Sequence, residues 1–301
     1  MRTQIALLAL TMSAFAAIPA RSAVRVVCTL PELASVAREV GGDRVSVISL
    51  AKPDQNYHQI DPRPSDVIRV RDAQVLVRAG MDLDGWVDSL VNAARNSRVE
   101  KSGTGYVDAS RLIRKLEVPG NQITGASGDI HVFGNPHYWF DPGDAKVIAY
   151  EIDLALREND AKNAKAYDDN YRRFAAEIDK RMAGWKAALA PYRGKSIVAY
   201  HDEWVYFLDR FGLKAFAYLE PKPGIPPSAS HVNNLIGRMK AADIKAVIVP
   251  SIYPEGFSDL LKRSAGAKVV RVPYSVGSMG THDYITYMDK IVNGFKQALE
   301  R

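Results

Sequence analysis

Beyond its first two dozen residues, the chain alternates short apolar runs with stretches of helical spacing. That is the pattern of parallel sheets covered by helices. In the first half, Val24–Thr29, Val45–Leu50 and Val75–Ala79 predict strands, and Glu32–Val40, Ser65–Arg71 and Trp86–Ala94 predict helices. Pro31 suits the start of the first helix and Gly41 its end, and Ser65 stands where it would cap the second. The texture changes at Asp144. From there to Leu189 the residues are mostly Ala, Lys, Glu, Asp and Arg, with apolar positions at helical spacing such as Ile148, Ile152 and Leu156, then Tyr167, Tyr171 and Phe174. Asn159-Asp160 and Gly184 allow a break, but no proline intervenes before Pro191. The spacing predicts one long helix or two nearly continuous ones.

The alternation then resumes. Ser196–Tyr200, Lys214–Tyr218, Ala246–Val249 and Lys268–Val272 predict strands, and Glu203–Phe211, Ser228–Ala242, Gly256–Ser264 and Asp283–Leu299 predict helices. Glu117–Pro136 and Glu220–Pro227 read as loops. The expected fold is therefore α/β: a lobe over residues 23–143, a stiff connector helix over 144–190, and a second lobe over 191–301.

The N-terminus bears on compartment. Met1-Arg2 gives a positive start, Ile5 to Ile18 is uncharged and apolar, and small residues Ala20 and Ser22 stand where a signal peptidase needs them. The apolar run is too short for a bilayer, which takes about 20 residues, and Thr11 and Ser13 interrupt it. Residues 1–22 are expected to be a cleaved export signal, which places the mature chain in the periplasm. Removing residues 1–22 from 301 leaves 279, and net charge falls from +6 to +4 as Arg2 and Arg21 leave. The remaining charges are mixed along the chain, so nothing favours a nucleic-acid partner. The single cysteine, Cys28, excludes an intramolecular disulfide. Val26-Val27 before it lack the small residues that lipid modification requires, so it reads as an inert thiol in the first strand.

Six histidines are unevenly placed. His58 follows a predicted strand and precedes Pro62-Arg63-Pro64-Ser65-Asp66. His137 lies in Pro136-His137-Tyr138-Trp139-Phe140-Asp141-Pro142, and His201 directly follows the strand Ser196–Tyr200. His282 and Asp283 come after the Gly-rich stretch Gly277–Thr281, where the last helix begins. Ligands of parallel α/β sheets bind at the carboxyl ends of strands, so His58, His137, His201 and Asp283 can converge on one cleft between the lobes. Three imidazoles and a carboxylate make a normal four-coordinate site for a divalent transition metal. His231 reads as a surface or core histidine. His131 can reach the cleft from its loop, but nothing demands it. Asp141, before Pro142, reads as a helix cap or a supporting partner.

With these motifs the chain resembles the metal-specific solute-binding proteins of zinc and manganese ABC importers. Gly41-Gly42-Asp43-Arg44-Val45, Ala79-Gly80-Met81-Asp82-Leu83-Asp84-Gly85-Trp86 and Tyr200-His201-Asp202 add to the likeness, which spans the mature chain. The resemblance implies two Rossmann-like lobes joined by a rigid long helix, metal held between them, and delivery to an inner-membrane ABC permease by a monomer. It carries the ligands onto His58, His137, His201 and an acid near Asp283. His282 is the alternative fourth ligand, since both residues precede Tyr284. The Glu117–Pro136 loop, unlike the His- and acid-rich loops of many zinc-binding relatives, offers little beyond Glu117, Asp129 and His131.

Relatives that favour manganese commonly place a carboxylate at the third ligand. With His201 there, the set has three nitrogens, which suits Zn2+ over Mn2+ as the cargo. Two other classes compete. One is a periplasmic binder of an organic solute or chelated metal. The other is a zinc hydrolase with Glu203 as general base; Glu203 reads equally as an exposed acid in the first turn of a helix. Neither a His-Glu-x-x-His nor a Gly-x-Ser-x-Gly motif is present.

Overall fold

A computed structural model describes residues 23–120 and 128–300. The proposed export signal, residues 1–22, lies outside the described residues. The first lobe holds a parallel sheet of β1 (Val24–Cys28), β2 (Val45–Ser49), β3 (Val75–Arg78) and β4 (Tyr106–Asp108), in the order β2-β1-β3-β4. The second sheet, of β5 (Ser196–Ala199), β6 (Lys214–Tyr218), β7 (Ala246–Pro250) and β8 (Lys268–Val272), repeats the order as β6-β5-β7-β8, again parallel. In each sheet the chain leaves the first strand to one side and returns to the other, which opens a crevice at the strands' carboxyl ends.

Sheets covered on both faces need strands apolar on both. In β1, Val24, Val26 and Cys28 face an inner core while Val27 joins a separate outer cluster with Leu76, Val87 and Leu90. In β7, Ala246 and Ile248 face inward, and Val247 and Val249 face an outer cluster with Leu235 and Leu261. The inner core is common to both lobes: residues of β1 and β3 share it with those of β5, β7 and β8. Cys28 is fully buried there, and burial pushes its thiol far above the usual range, as an inert cysteine requires.

Helices α1 (Pro31–Gly41), α2 (Pro64–Arg71) and α3 (Val87–Ala94) belong to the first lobe; α6 (Val205–Phe211), α7 (Ala229–Ala241), α8 (Gly256–Ala265) and α9 (Tyr284–Leu299) belong to the second. Pro64 rather than Ser65 opens α2, and the Asp66 carboxylate accepts the Arg63 N–H there. Strand β4 was not evident in the sequence; it has three residues and pairs with β3 at the sheet's edge.

The connector is two helices, α4 (Pro142–Asn159) and α5 (Ala164–Leu189), which turn back on each other at Asp160–Asn163. Lys146 pairs with Asp179, and the Tyr150 and Tyr171 rings meet at 5.7 Å between centroids, so the two run antiparallel. The 26 residues of α5 give it a length of about 39 Å. It reaches both α1, where Asn170 bonds the Val40 carbonyl, and α9, where Trp185 Nε1 donates to Asp289. Among the described residues no helix is long and apolar enough to cross a membrane.

Candidate metal centre

Each lobe delivers a histidine from the carboxyl end of a strand. His58 follows β2 on a loop anchored by its neighbour Tyr57. The Tyr57 N–H donates to the Tyr274 hydroxyl, and its own hydroxyl donates to Glu32. His201 follows β5 and is 3% exposed. His137 precedes a single 3-10 turn, Tyr138–Phe140, whose three aromatics are buried in the inner core. That turn is fixed by Tyr138, donating to the Ala79 carbonyl, and by the Trp139 carbonyl, which accepts from Tyr284.

The three rings meet. Their ring nitrogens include one from each that all lie within 4.8 Å of one another, and His58 Nε2 is 3.3 Å from His137 Nε2. Two nitrogens bound tetrahedrally at 2.0–2.1 Å to one zinc ion stand about 3.3–3.4 Å apart. Outer partners aim the rings. His137 Nδ1 lies 2.8 Å from Asn135 Oδ1, which also accepts the His137 backbone N–H. The Asn135 amide nitrogen donates to Glu117 and to the Asp202 carbonyl, which settles the orientation of the amide. Nδ1 of His137 is therefore the protonated nitrogen, and Nε2 offers its lone pair to the centre. His201 Nδ1 lies 2.7 Å from Glu220 Oε2, so its Nε2 is likewise free.

Burial, together with repulsion among the rings, holds His58 and His137 well below the usual imidazole range, and both are neutral near pH 7. Burial also opposes charge on His201, but the Glu220 hydrogen bond and the neighbouring carboxylates outweigh it and raise this ring above its ordinary value. A cavity of about 280 Å³ borders His137 and His201, with Glu117, Asp129 and Asp202 in its walls. Three carboxyl groups at one opening favour a cation.

The structure does not bring Asp283 to this group. Its carboxylate accepts the Thr286 N–H and caps α9, while its backbone N–H bonds the Thr286 hydroxyl. The reason is local: an Asp three residues before a Thr at a helix start closes a reciprocal cap. His282 is exposed beside it. Asp141 caps α4 and pairs with Arg210. His231 sits in the first turn of α7, its ring 3.1 Å from the Tyr218 carbonyl.

Glu203 is not the exposed helical acid the sequence suggested. Helix α6 begins after it, and the residue is 1% exposed. Burial pushes its carboxyl up to about 8; His201 opposes this, and Glu220 and Asp202 reinforce it. Sequence reasoning missed Glu220 and Asn135. Both had findable signals: Glu220 follows β6, the neighbour of the strand that carries His201, and Asn135 stands two residues before His137.

Two parallel-sheet lobes that share a core and close three imidazoles between them define a metal-capturing solute-binding protein. The family model described as zinc-uptake complex component A, periplasmic (ZnuA) matches residues 26–298, and the chain belongs to that family. Among its relatives, the high-affinity zinc uptake system protein ZnuA of Yersinia pestis is 26% identical over 294 residues, covering 91% of each protein. The iron-binding protein YfeA of the same organism is 25% identical over 289 residues, 91% of this chain and 86% of that protein. A crystal structure of ZnuA superposes with a TM-score of 0.78 at 21% identity over 92% of this chain and all of the other. The solute-binding protein FpvC of Pseudomonas aeruginosa, solved with Mn2+, gives 0.75 at 25% identity over 92% and 98%. The family is one of transporter components rather than of enzymes.

Proposed function

We propose that this protein captures one divalent transition metal, zinc in preference to manganese, in the periplasm and delivers it as a monomer to an inner-membrane ABC permease. The observation that carries the reading is the meeting of His58, His137 and His201, with two of their nitrogens separated by the edge of a zinc tetrahedron. Imidazole nitrogens favour zinc, whereas oxygen-rich shells favour manganese. The relatives named for zinc and the exported character of the N-terminus support the same assignment. Asp283, committed to its helix, stands outside this shell. The cavity beside His137 and His201 is where we place a fourth ligand.

The site captures and does not catalyse. The family to which the chain belongs is one of transporter components rather than of enzymes, and the carboxylate nearest His201, Glu220, is taken up by the hydrogen bond to His201 Nδ1. The test is elemental analysis of protein purified from the periplasm without added metal, followed by chelator competition. One zinc per chain is expected, with binding greatly weakened in His58→Ala, His137→Ala and His201→Ala. Because the three act on one ion, their losses will not add. Zinc binding at parental strength in all three variants would overturn the site.

A further inference from the structure

His131 stands outside the three-histidine group, yet it is tied to it. Its Nε2 lies 3.3 Å from His58 Nδ1, and its Nδ1 lies 2.9 Å from Asp82 Oδ1. The other Asp82 oxygen accepts the Val132 N–H at 3.2 Å, so a single carboxylate holds both the ring and the backbone of this segment. Asp82 is itself set by an unusual turn. Gly80, Met81 and Asp82 have φ of 75°, 47° and 56°, three consecutive residues in the left-handed region. The buried Asp84 carboxylate ties the turn down by accepting the N–H groups of Ala79 and Gly80. A side chain at Gly80 would place its Cβ 2.2 Å from Asp108 Oδ1, so the tight approach requires glycine. The protein thus spends strained backbone on presenting one carboxylate to one imidazole.

The proton positions follow in sequence. A carboxylate only accepts, so the Asp82 contact puts the His131 proton on Nδ1. Neutral His131 then has a lone pair on Nε2, and the nitrogen facing it, His58 Nδ1, must carry the proton. That leaves the His58 lone pair on Nε2, the nitrogen 3.3 Å from His137 Nε2. His137 and His201 reach the same state through Asn135 and Glu220. We propose that His131, held by Asp82, is the positioning residue of His58: it fixes the tautomer and ring orientation in which His58 binds the metal. The inference rests on His58, His137 and His201 being the ligands. It also gives the segment around His131 a part in affinity. That segment touches the second lobe as well, where the Asp129 N–H donates to the Pro223 carbonyl.

The test measures zinc affinity by chelator competition in the parent, His131→Ala, His131→Gln, Asp82→Asn and His58→Ala, with X-ray absorption to count imidazoles in the zinc forms. Loss of an outer partner typically costs tenfold to a hundredfold in metal affinity. His131→Ala is expected to lose that much with the imidazole count unchanged at three. His131→Gln, whose amide oxygen can accept the His58 Nδ1 proton, should recover most of the loss, and Asp82→Asn should fall between. If His131→Ala binds within twofold of the parent while His58→Ala does not, the positioning role is wrong and the site stands. An imidazole count that drops by one in His131→Ala makes His131 a ligand and overturns the proposal. So does a His131→Gln variant as weak as His131→Ala, since packing of the segment would then explain the loss. Parental affinity in His58→Ala would remove the site itself.

Discussion

Replacing Glu32 by Gln isolates one acid buried between the lobes. Glu32 opens α1 and is 1% exposed. Its carboxyl accepts the Tyr57 hydroxyl at 3.1 and 3.0 Å and the Val276 N–H, from the second lobe, at 3.2 Å. Burial wins over these donors and raises the group from 4.5 to about 7. A raised acid supports the fold fully below its unfolded value and loses that support as pH climbs through its folded value. Here the window runs from 4.5 to about 7. At ~1.36 kcal/mol per pH unit, the loss is on the order of 3 kcal/mol by pH 8. Gln keeps the shape and an acceptor oxygen but does not ionise. Urea unfolding of the metal-free protein across this range should show Glu32→Gln gaining stability relative to the parent by about that amount as pH rises. Ligands are left out so that imidazole titration on the metal does not enter. A difference between variant and parent that is the same at every pH would mean that Glu32 is already ionised in the fold, and the reasoning would fail.

Asp283→Ala should cost about 1 kcal/mol of stability through the lost cap and leave zinc affinity unchanged; a tenfold drop in competition titration would place Asp283 on the ion. Glu220→Ala removes the acceptor of His201 and should weaken zinc tenfold to a hundredfold, again read by competition, with Glu220→Gln less affected. Free zinc about 1,000-fold above its dissociation constant stabilises the fold by roughly 4 kcal/mol. A clear rise in melting temperature is expected, with manganese at equal free concentration doing much less; equal shifts would remove the basis for zinc preference.

Much of this was legible in the chain because parallel strands buried on both faces leave unmistakable apolar runs, and because loops after such strands face one crevice. His58 and His201 could be placed together on that ground alone. Asp283 misled because an acid before a helical pattern fits two roles, and only the reciprocal bond with Thr286 decides between them. Glu203 misled because the helix starts two residues later than its polarity suggests. The part played by His131 depends on a turn of left-handed residues reaching across 49 positions, which no local pattern encodes. The reversal between α4 and α5 was visible as a possible break at Asn159-Asp160, but its direction comes from packing between Tyr150 and Tyr171.

The apolar core beneath both sheets bears on traffic through the site. Phe140, from the turn that carries His137, lies 4.2 Å between ring centroids from Trp204 of the second lobe, and Tyr284 of α9 reaches back to Trp139. Swinging the lobes apart would expose such aromatics, at roughly 150–250 Å² each. Four of them would cost on the order of 15–25 kcal/mol at ~25 cal/mol per Å², more than the whole stability of a typical domain, about 5–15 kcal/mol. A wide clamshell motion that parts this core is therefore costly for this molecule. That cost attaches to separating the lobes as wholes, not to moving the loops that carry the three histidines. On the proposed function, a receiving protein would then tell a full carrier from a spent one by the set of those loops rather than by the shape of the whole.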